Sequence, residues 1–155
     1  MILKKMALLF GFLLIFGIIL SGCSGNTSKK EETSKENTQP KNIIGQTLQT
    51  EGLHETTDNW TNMYETEFYT VDANNKIIFI QADVTDKNVD FPASQDKLLD
   101  LASPYIPKET TVLTDMQDGS GSTGYECQSG DMHFTILQAD TDDDGKVDTL
   151  YISKI

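Results

Sequence analysis

The N-terminal segment decides how much of this chain is available for folding. Lys4 and Lys5 precede an apolar run from Met6 to Leu20, and Ser21, Gly22 and Cys23 follow it. A basic start, an apolar run shorter than the ~20 residues of a membrane-spanning helix, and a close of small residues describe a secretory signal that is removed on export. The stretch that follows, Ser24 to Lys41, holds no large apolar residue and is built from Ser, Thr, Asn, Lys and Glu. Such a segment cannot bury enough surface to offset the entropy of ordering it, so it reads as a flexible tether. The chain therefore divides into a signal peptide (1–22), a tether (23–41) and a single small domain (42–155) with one core.

The residues Leu20-Ser21-Gly22-Cys23 resemble the lipobox of bacterial lipoproteins, an aliphatic residue and two small ones before an obligatory cysteine. The resemblance implies cleavage before Cys23 and lipidation of its thiol. The domain would then be held to a membrane by its N-terminal lipid, on the extracytoplasmic face. Ser24, rather than Asp, after the lipidated cysteine would send the protein to the outer membrane of a Gram-negative cell. The Arg-free, Lys- and Asn-rich composition points instead to a Gram-positive cell and the outer leaflet of its plasma membrane.

Charge narrows the partners. The chain has 24 acidic residues against 12 basic ones, a formal net charge of −12, and removal of the signal takes two lysines with it. Nucleic acid and anionic lipid head groups would be repelled, whereas cations and basic partners would be attracted. With Cys23 carrying lipid, Cys127 has no partner for a disulfide. Its strand-like setting, Gly124-Tyr125-Glu126-Cys127-Gln128, makes it a small buried hydrophobe, and no neighbouring base or cation activates the thiol.

The local patterns predict an α+β domain, an antiparallel sheet of five or six strands with one helix packed on a face. Tyr64–Val71 is rich in aromatic and β-branched residues, Asp72–Asn75 is turn chemistry, and Lys76–Val84 alternates, with Ile78, Ile80, Ala82 and Val84 sharing a face. Ser94–Ser103 reads as the helix, with Ser94 as N-cap, Leu98, Leu101, Ala102 and Tyr105 as its apolar stripe, and Pro104 and Pro107 stopping it. Thr110–Leu113, Tyr125–Gln128, Met132–Ala139 and Thr149–Ile155 read as further strands. In Met132–Ala139, Phe134 and Ile136 face one way and His133, Thr135 and Leu137 the other. Gln46–Asn59 is polar, a short strand or irregular backbone, with His54 solvated and Trp60 entering the core.

One stretch carries readable chemistry. Asp140-Thr141-Asp142-Asp143-Asp144-Gly145-Lys146-Val147-Asp148 has the form D-x-D-x-D-G-x-x-D. Calcium takes six to eight oxygens, and alternate loop residues can turn carboxylates towards a common centre. Asp140, Asp142 and Asp144 stand at loop positions 1, 3 and 5, Gly145 permits the sharp turn, and Lys146 offers its backbone carbonyl. Asp148 adds a fourth carboxylate, while Asp143 lies off-phase and Val147 anchors the loop. Tyr151 stands where an EF-hand places its bidentate Glu, and the flanks are strands rather than helices, which excludes a calmodulin-type sensor. The loop is similar to the calcium-binding hairpins of integrin α-subunit and FG-GAP-type repeats; that resemblance implies a metal site, and one copy does not make a propeller. A structural Ca2+ with affinity on the order of 10⁻⁴–10⁻³ M would suffice outside a cell.

These features describe a lipid-anchored interaction module for a protein, glycan or solute, stabilised by calcium and not an enzyme. The alternatives are an envelope hydrolase and an accessory subunit of a membrane complex. A hydrolase needs a nucleophile–base pair or an open metal position. His54 and His133 lie in no catalytic signature, no G-x-S-x-G or H-E-x-x-H is present, and Glu65 and Glu67, pointing the same way from one strand, read as solvated edge charges.

Overall fold

The computed structural model of the chain describes residues 42–155. The signal peptide, the tether and the lipobox cysteine lie outside the described residues. Eight strands form one antiparallel sheet: β1 Leu53–Glu55, β2 Trp60–Asn62, β3 Glu67–Val71, β4 Ile77–Asp83, β5 Thr111–Gln117, β6 Thr123–Ser129, β7 Met132–Ala139 and β8 Thr149–Lys154. Their spatial order is β1-β2-β3-β4-β8-β7-β6-β5. Two four-stranded meanders are thus joined at β4 and β8, where Ile80 pairs with Ile152 and Ala82 with Leu150.

The expected α+β domain of five or six strands is overturned: among the described residues the regular structure is mostly sheet, eight antiparallel strands with one α-helix, α1 Gln95–Ala102. Of the two strands beyond the expected six, β1 falls within Gln46–Asn59, read as a short strand or irregular backbone, and β2 is unexpected; each has three residues. Three residues carry too few side chains to establish a period of two. Their pairing is supplied by tertiary context: β2 rides on β3 through Trp60–Tyr69 and Thr61–Phe68, and β1 rides on β2.

Alternation assigns the two faces of the sheet. Ile80, Ala82, Phe134, Ile136, Leu150 and Ile152 are fully buried on the face that α1 covers, through Leu98 and Ala102. Each of these side chains other than Ala82 contributes roughly 1.5–3 kcal/mol by leaving water. Ile44 and Leu48 close the same core. In β4 the register slips where Val71 pairs with Ile77 directly after Thr70 pairs with Phe79. That bulge places Ile77, not Ile78, in the core with Ile80 and Val84, correcting the simple alternation.

Ser94 flanks α1 as expected, with an extended backbone, but its hydroxyl makes no capping hydrogen bond. The β3–β4 turn is held by the Asp72 carboxylate, which accepts hydrogen bonds from the backbone N–H groups of Asn74 and Lys76 at 2.8 and 2.9 Å. Asn75 takes the left-handed conformation there, which Asn tolerates better than most residues.

Candidate metal centre

The hairpin between β7 and β8 is built so that its acidic residues converge. Each of Asp140, Asp142 and Asp148 offers a carboxylate oxygen, and these three atoms lie within 4.8 Å of one another. They form the one such cluster of potential metal ligands among the described residues. Like charges so close repel by about 1 kcal/mol per pair in bulk water and by several at a protein-surface dielectric. Donors from the loop itself answer part of that repulsion. Asp140 accepts from the N–H of Gly145 at 2.8 Å and of Asp144 at 3.2 Å, and Asp142 accepts from Asp144 N–H at 3.2 Å. Gly145, at φ +83, supplies the left-handed turn that brings the chain back. Asp143 is exposed and also left-handed, outside the cluster as its off-phase position implies.

Asp148 is the buried member, and Val147 beside it is fully buried in the core. The backbone N–H and hydroxyl of Thr141, with a backbone donor from Asp142, hold the Asp148 carboxyl below the usual carboxylate range. Charge is thereby kept on this carboxylate despite its low exposure.

Asp144 is not part of the cluster, and the Lys146 side chain is engaged elsewhere. One oxygen of Asp144 accepts the backbone N–H of Lys146 at 2.8 Å. The Lys146 ammonium is turned to Asp90, with which it forms an ion pair. Two backbone hydrogen bonds bind the same segments: Phe91 N–H to Gly145 O at 2.9 Å and Val147 N–H to Val89 O at 2.8 Å. Residues 89–91 therefore brace the acidic loop. Nothing in the sequence signalled this partnership, because it joins segments more than fifty residues apart.

The other titratable candidates are dispersed. His54 is exposed on β1, and His133 lies half-buried on β7, its Nδ1 3.2 Å from Glu126 Oε1. Four strands separate β1 from β7, which at the usual strand spacing puts the two strands about 24 Å apart across the sheet. Cys127 is fully buried, and burial pushes its thiol up to about 11.

The reading of Glu65 and Glu67 as paired edge charges is corrected. Glu65 lies before β3 in a left-handed turn, and β3 is an interior strand of the sheet. Glu67 is half-buried, and its two carboxylate oxygens accept the hydroxyls of Tyr69 and Tyr105, each at 2.8 Å. Tyr105 follows α1 by three residues, so this network ties the helix end to the sheet.

The chain matches no protein-family model, no curated protein and no solved structure. The class that can be stated is that of an eight-stranded antiparallel sheet carrying a three-aspartate cluster able to hold a metal ion.

Proposed function

We propose that this protein is a lipid-anchored, extracytoplasmic binding module whose β7–β8 loop holds a structural calcium ion. The observation that carries the metal reading is the convergence of Asp140, Asp142 and Asp148 within 4.8 Å. Hard carboxylate oxygens suit Ca2+, which accepts irregular oxygen sets, better than Mg2+, which demands stricter octahedral geometry. The Asp144 carboxylate and the Lys146 carbonyl would complete the oxygen set on loading. The role is structural: an ion bound only by the folded state stabilises it in proportion to its saturation.

A non-catalytic role is favoured by the chemistry at hand. The histidines sit too far apart to act as a pair, Cys127 is sealed in the core, and Glu67 is held by two tyrosines. The membrane anchor rests on Leu20-Ser21-Gly22-Cys23.

Calcium titration of the full chain in detergent, followed calorimetrically and by thermal melting, tests the site. One bound ion and a saturable rise in Tm are expected, both abolished by Asp142→Ala. A Tm rise of the same size in Asp142→Ala would rule the loop out as the metal site.

A further inference from the structure

The face of the sheet opposite α1 carries a second set of side chains. Phe79 of β4, Leu137 of β7 and Tyr151 of β8 alternate with the core residues and remain half-buried. The Phe79 and Tyr151 rings stack, with centroids 6.3 Å apart and planes inclined by 24°. Around this platform stand Phe91, the Asp118–Ser122 turn between β5 and β6, and the Asp140–Asp143 side of the metal loop. Together they enclose a cleft of about 650 Å3.

The cleft is unusual in its charge. Asp118, Asp140 and Asp143 are its ionisable lining groups, apart from the Tyr151 phenol, and no lysine or histidine lines it. The rest of the lining is aromatic, aliphatic, or hydroxyl-bearing. Aromatic faces carry negative electrostatic potential and attract cations. Carboxylates at the rim add to this, as does the acidity of the whole chain, which concentrates cations near the surface. A phosphorylated or carboxylated ligand would meet only repulsion. A bare metal ion gains nothing from the apolar floor, and a neutral sugar could stack there but would leave the rim charges unanswered.

The walls are held in place before any ligand arrives. Phe91 is tied to the metal loop through Gly145, and two residues on, Ala93 exchanges two hydrogen bonds with the buried Gln138 side chain, at 2.8 and 3.2 Å. The Asp118 turn is locked by one carboxylate oxygen that accepts from Ser120 N–H at 2.9 Å and Ser122 N–H at 3.0 Å. A pre-formed site loses less entropy on binding.

We propose that this cleft binds an organic cation with an apolar skirt, an alkylated ammonium group, seated on Phe79 and Tyr151 and faced by Asp118 and Asp143. The inference rests on the reading of the chain as a binding module; Asp140 is shared with the proposed calcium site, so calcium there would weaken the attraction for a cation, which Asp118 and Asp143 then carry. A free quaternary ammonium solute and the choline head of a lipid share this chemistry.

The test is calorimetry of the full chain in detergent with choline, with glycerophosphocholine, with the neutral carbon isostere of choline and with glucose, each with and without calcium. Saturable choline binding is expected, with the isostere and glucose bound at least about fivefold more weakly. Tyr151→Leu keeps the apolar bulk, removes the ring and should weaken choline binding roughly fivefold. Asp118→Asn with Asp143→Asn, in which the amide oxygen at position 118 can still accept from Ser120 and Ser122, should weaken it comparably with only a small loss of Tm. Choline binding that excludes glycerophosphocholine assigns a free solute, and binding of both assigns a lipid head group. Equal binding of choline and its isostere, preferential binding of glucose, or no binding of choline would overturn the proposal. So would choline affinity unchanged in both the Tyr151→Leu and the double Asp→Asn proteins. A calcium response without choline binding sinks this inference alone, and choline binding without a calcium response sinks the metal reading alone.

Discussion

A single oxygen of the Asp148 carboxylate accepts two hydrogen bonds from Thr141, from its backbone N–H at 2.7 Å and from its hydroxyl at 2.8 Å. Thr141 lies between two of the convergent aspartates, so this contact closes the loop and aims its buried carboxylate. Thr141→Val keeps the shape and the backbone donor but loses the hydroxyl. The loss of one hydrogen bond to a charged acceptor, about 1–2 kcal/mol, should lower Tm and weaken calcium binding about five- to thirtyfold. Parallel calcium titrations of the two proteins measure this. Equal affinities would show that Thr141 does not aim the site.

A second prediction concerns the joint between β6 and β7. A Cβ built on Gly124 would fall 1.9 Å from the carbonyl oxygen of Ile136 and 2.9 Å from Leu137 Cα. Both obstacles are backbone, so no rotamer change relieves the overlap and the strands must part. Gly124→Ala should cost roughly 3 kcal/mol or more and lower Tm by more than about 10 °C. Chemical denaturation provides the check, and a loss under about 1 kcal/mol would mean that the strands yield easily.

Residue pattern made some of this molecule legible and left other parts silent, for identifiable reasons. In Met132–Ala139, Phe134 and Ile136 are fully buried on one face as their spacing implies, although polar Gln138 shares that face and apolar Leu137 lies on the other. The Asp140–Asp148 spacing likewise disclosed the acidic cluster, because alternate residues of a tight loop point to one side. β1 was legible only as a short strand or irregular backbone somewhere in Gln46–Asn59 and β2 not at all, since strands of three residues are defined by their neighbours rather than by their own composition. Glu67 was misjudged because its partners Tyr69 and Tyr105 reach it from the strand and from beyond α1, and nothing local marks a carboxylate as satisfied. Lys146 reaches Asp90, a contact that no loop motif encodes.

The Glu67 network predicts how stability responds to alkali. Burial, and then the charge of Glu67, raise the Tyr69 and Tyr105 phenols well above their ordinary value. The neutral phenol is the form that the fold favours. Its contribution is therefore complete below the ordinary phenol value of about 10 and declines as pH rises above it, because the unfolded chain ionises first. Stability should fall between about pH 9 and pH 12, and Tyr105→Phe should flatten that limb while costing about 1–2 kcal/mol at neutral pH. An alkaline limb of the same slope in Tyr105→Phe would refute the assignment.

The membrane anchor is testable on one atom. If the thiol of Cys23 takes a lipid and the chain is then cleaved before it, mass spectrometry of the membrane-extracted protein should find a lipidated N-terminal peptide beginning at Cys23. Cys23→Ser should remain uncleaved and unlabelled by radioactive palmitate. Labelling that persists in Cys23→Ser would place the lipid elsewhere, and an unlabelled native protein would reduce the segment to an ordinary signal or an uncleaved anchor.

Cys127 offers a probe of the whole sheet. It is fully buried on β6, paired with Phe134 of β7 and Val112 of β5, and burial with the nearby Glu126 charge pushes its thiol up to about 11. Thiol reagents attack the thiolate, so both the low thiolate population and the lack of access protect this residue. In the native protein at neutral pH, its modification should be slower than that of a free thiol by orders of magnitude, limited by opening of the β5–β6–β7 strands. The rate should climb with denaturant in step with global unfolding, and Gly124→Ala, three residues away and at the tightest point between β6 and β7, should accelerate it. Rapid stoichiometric labelling of the native chain would mean that these strands open independently of the rest of the core.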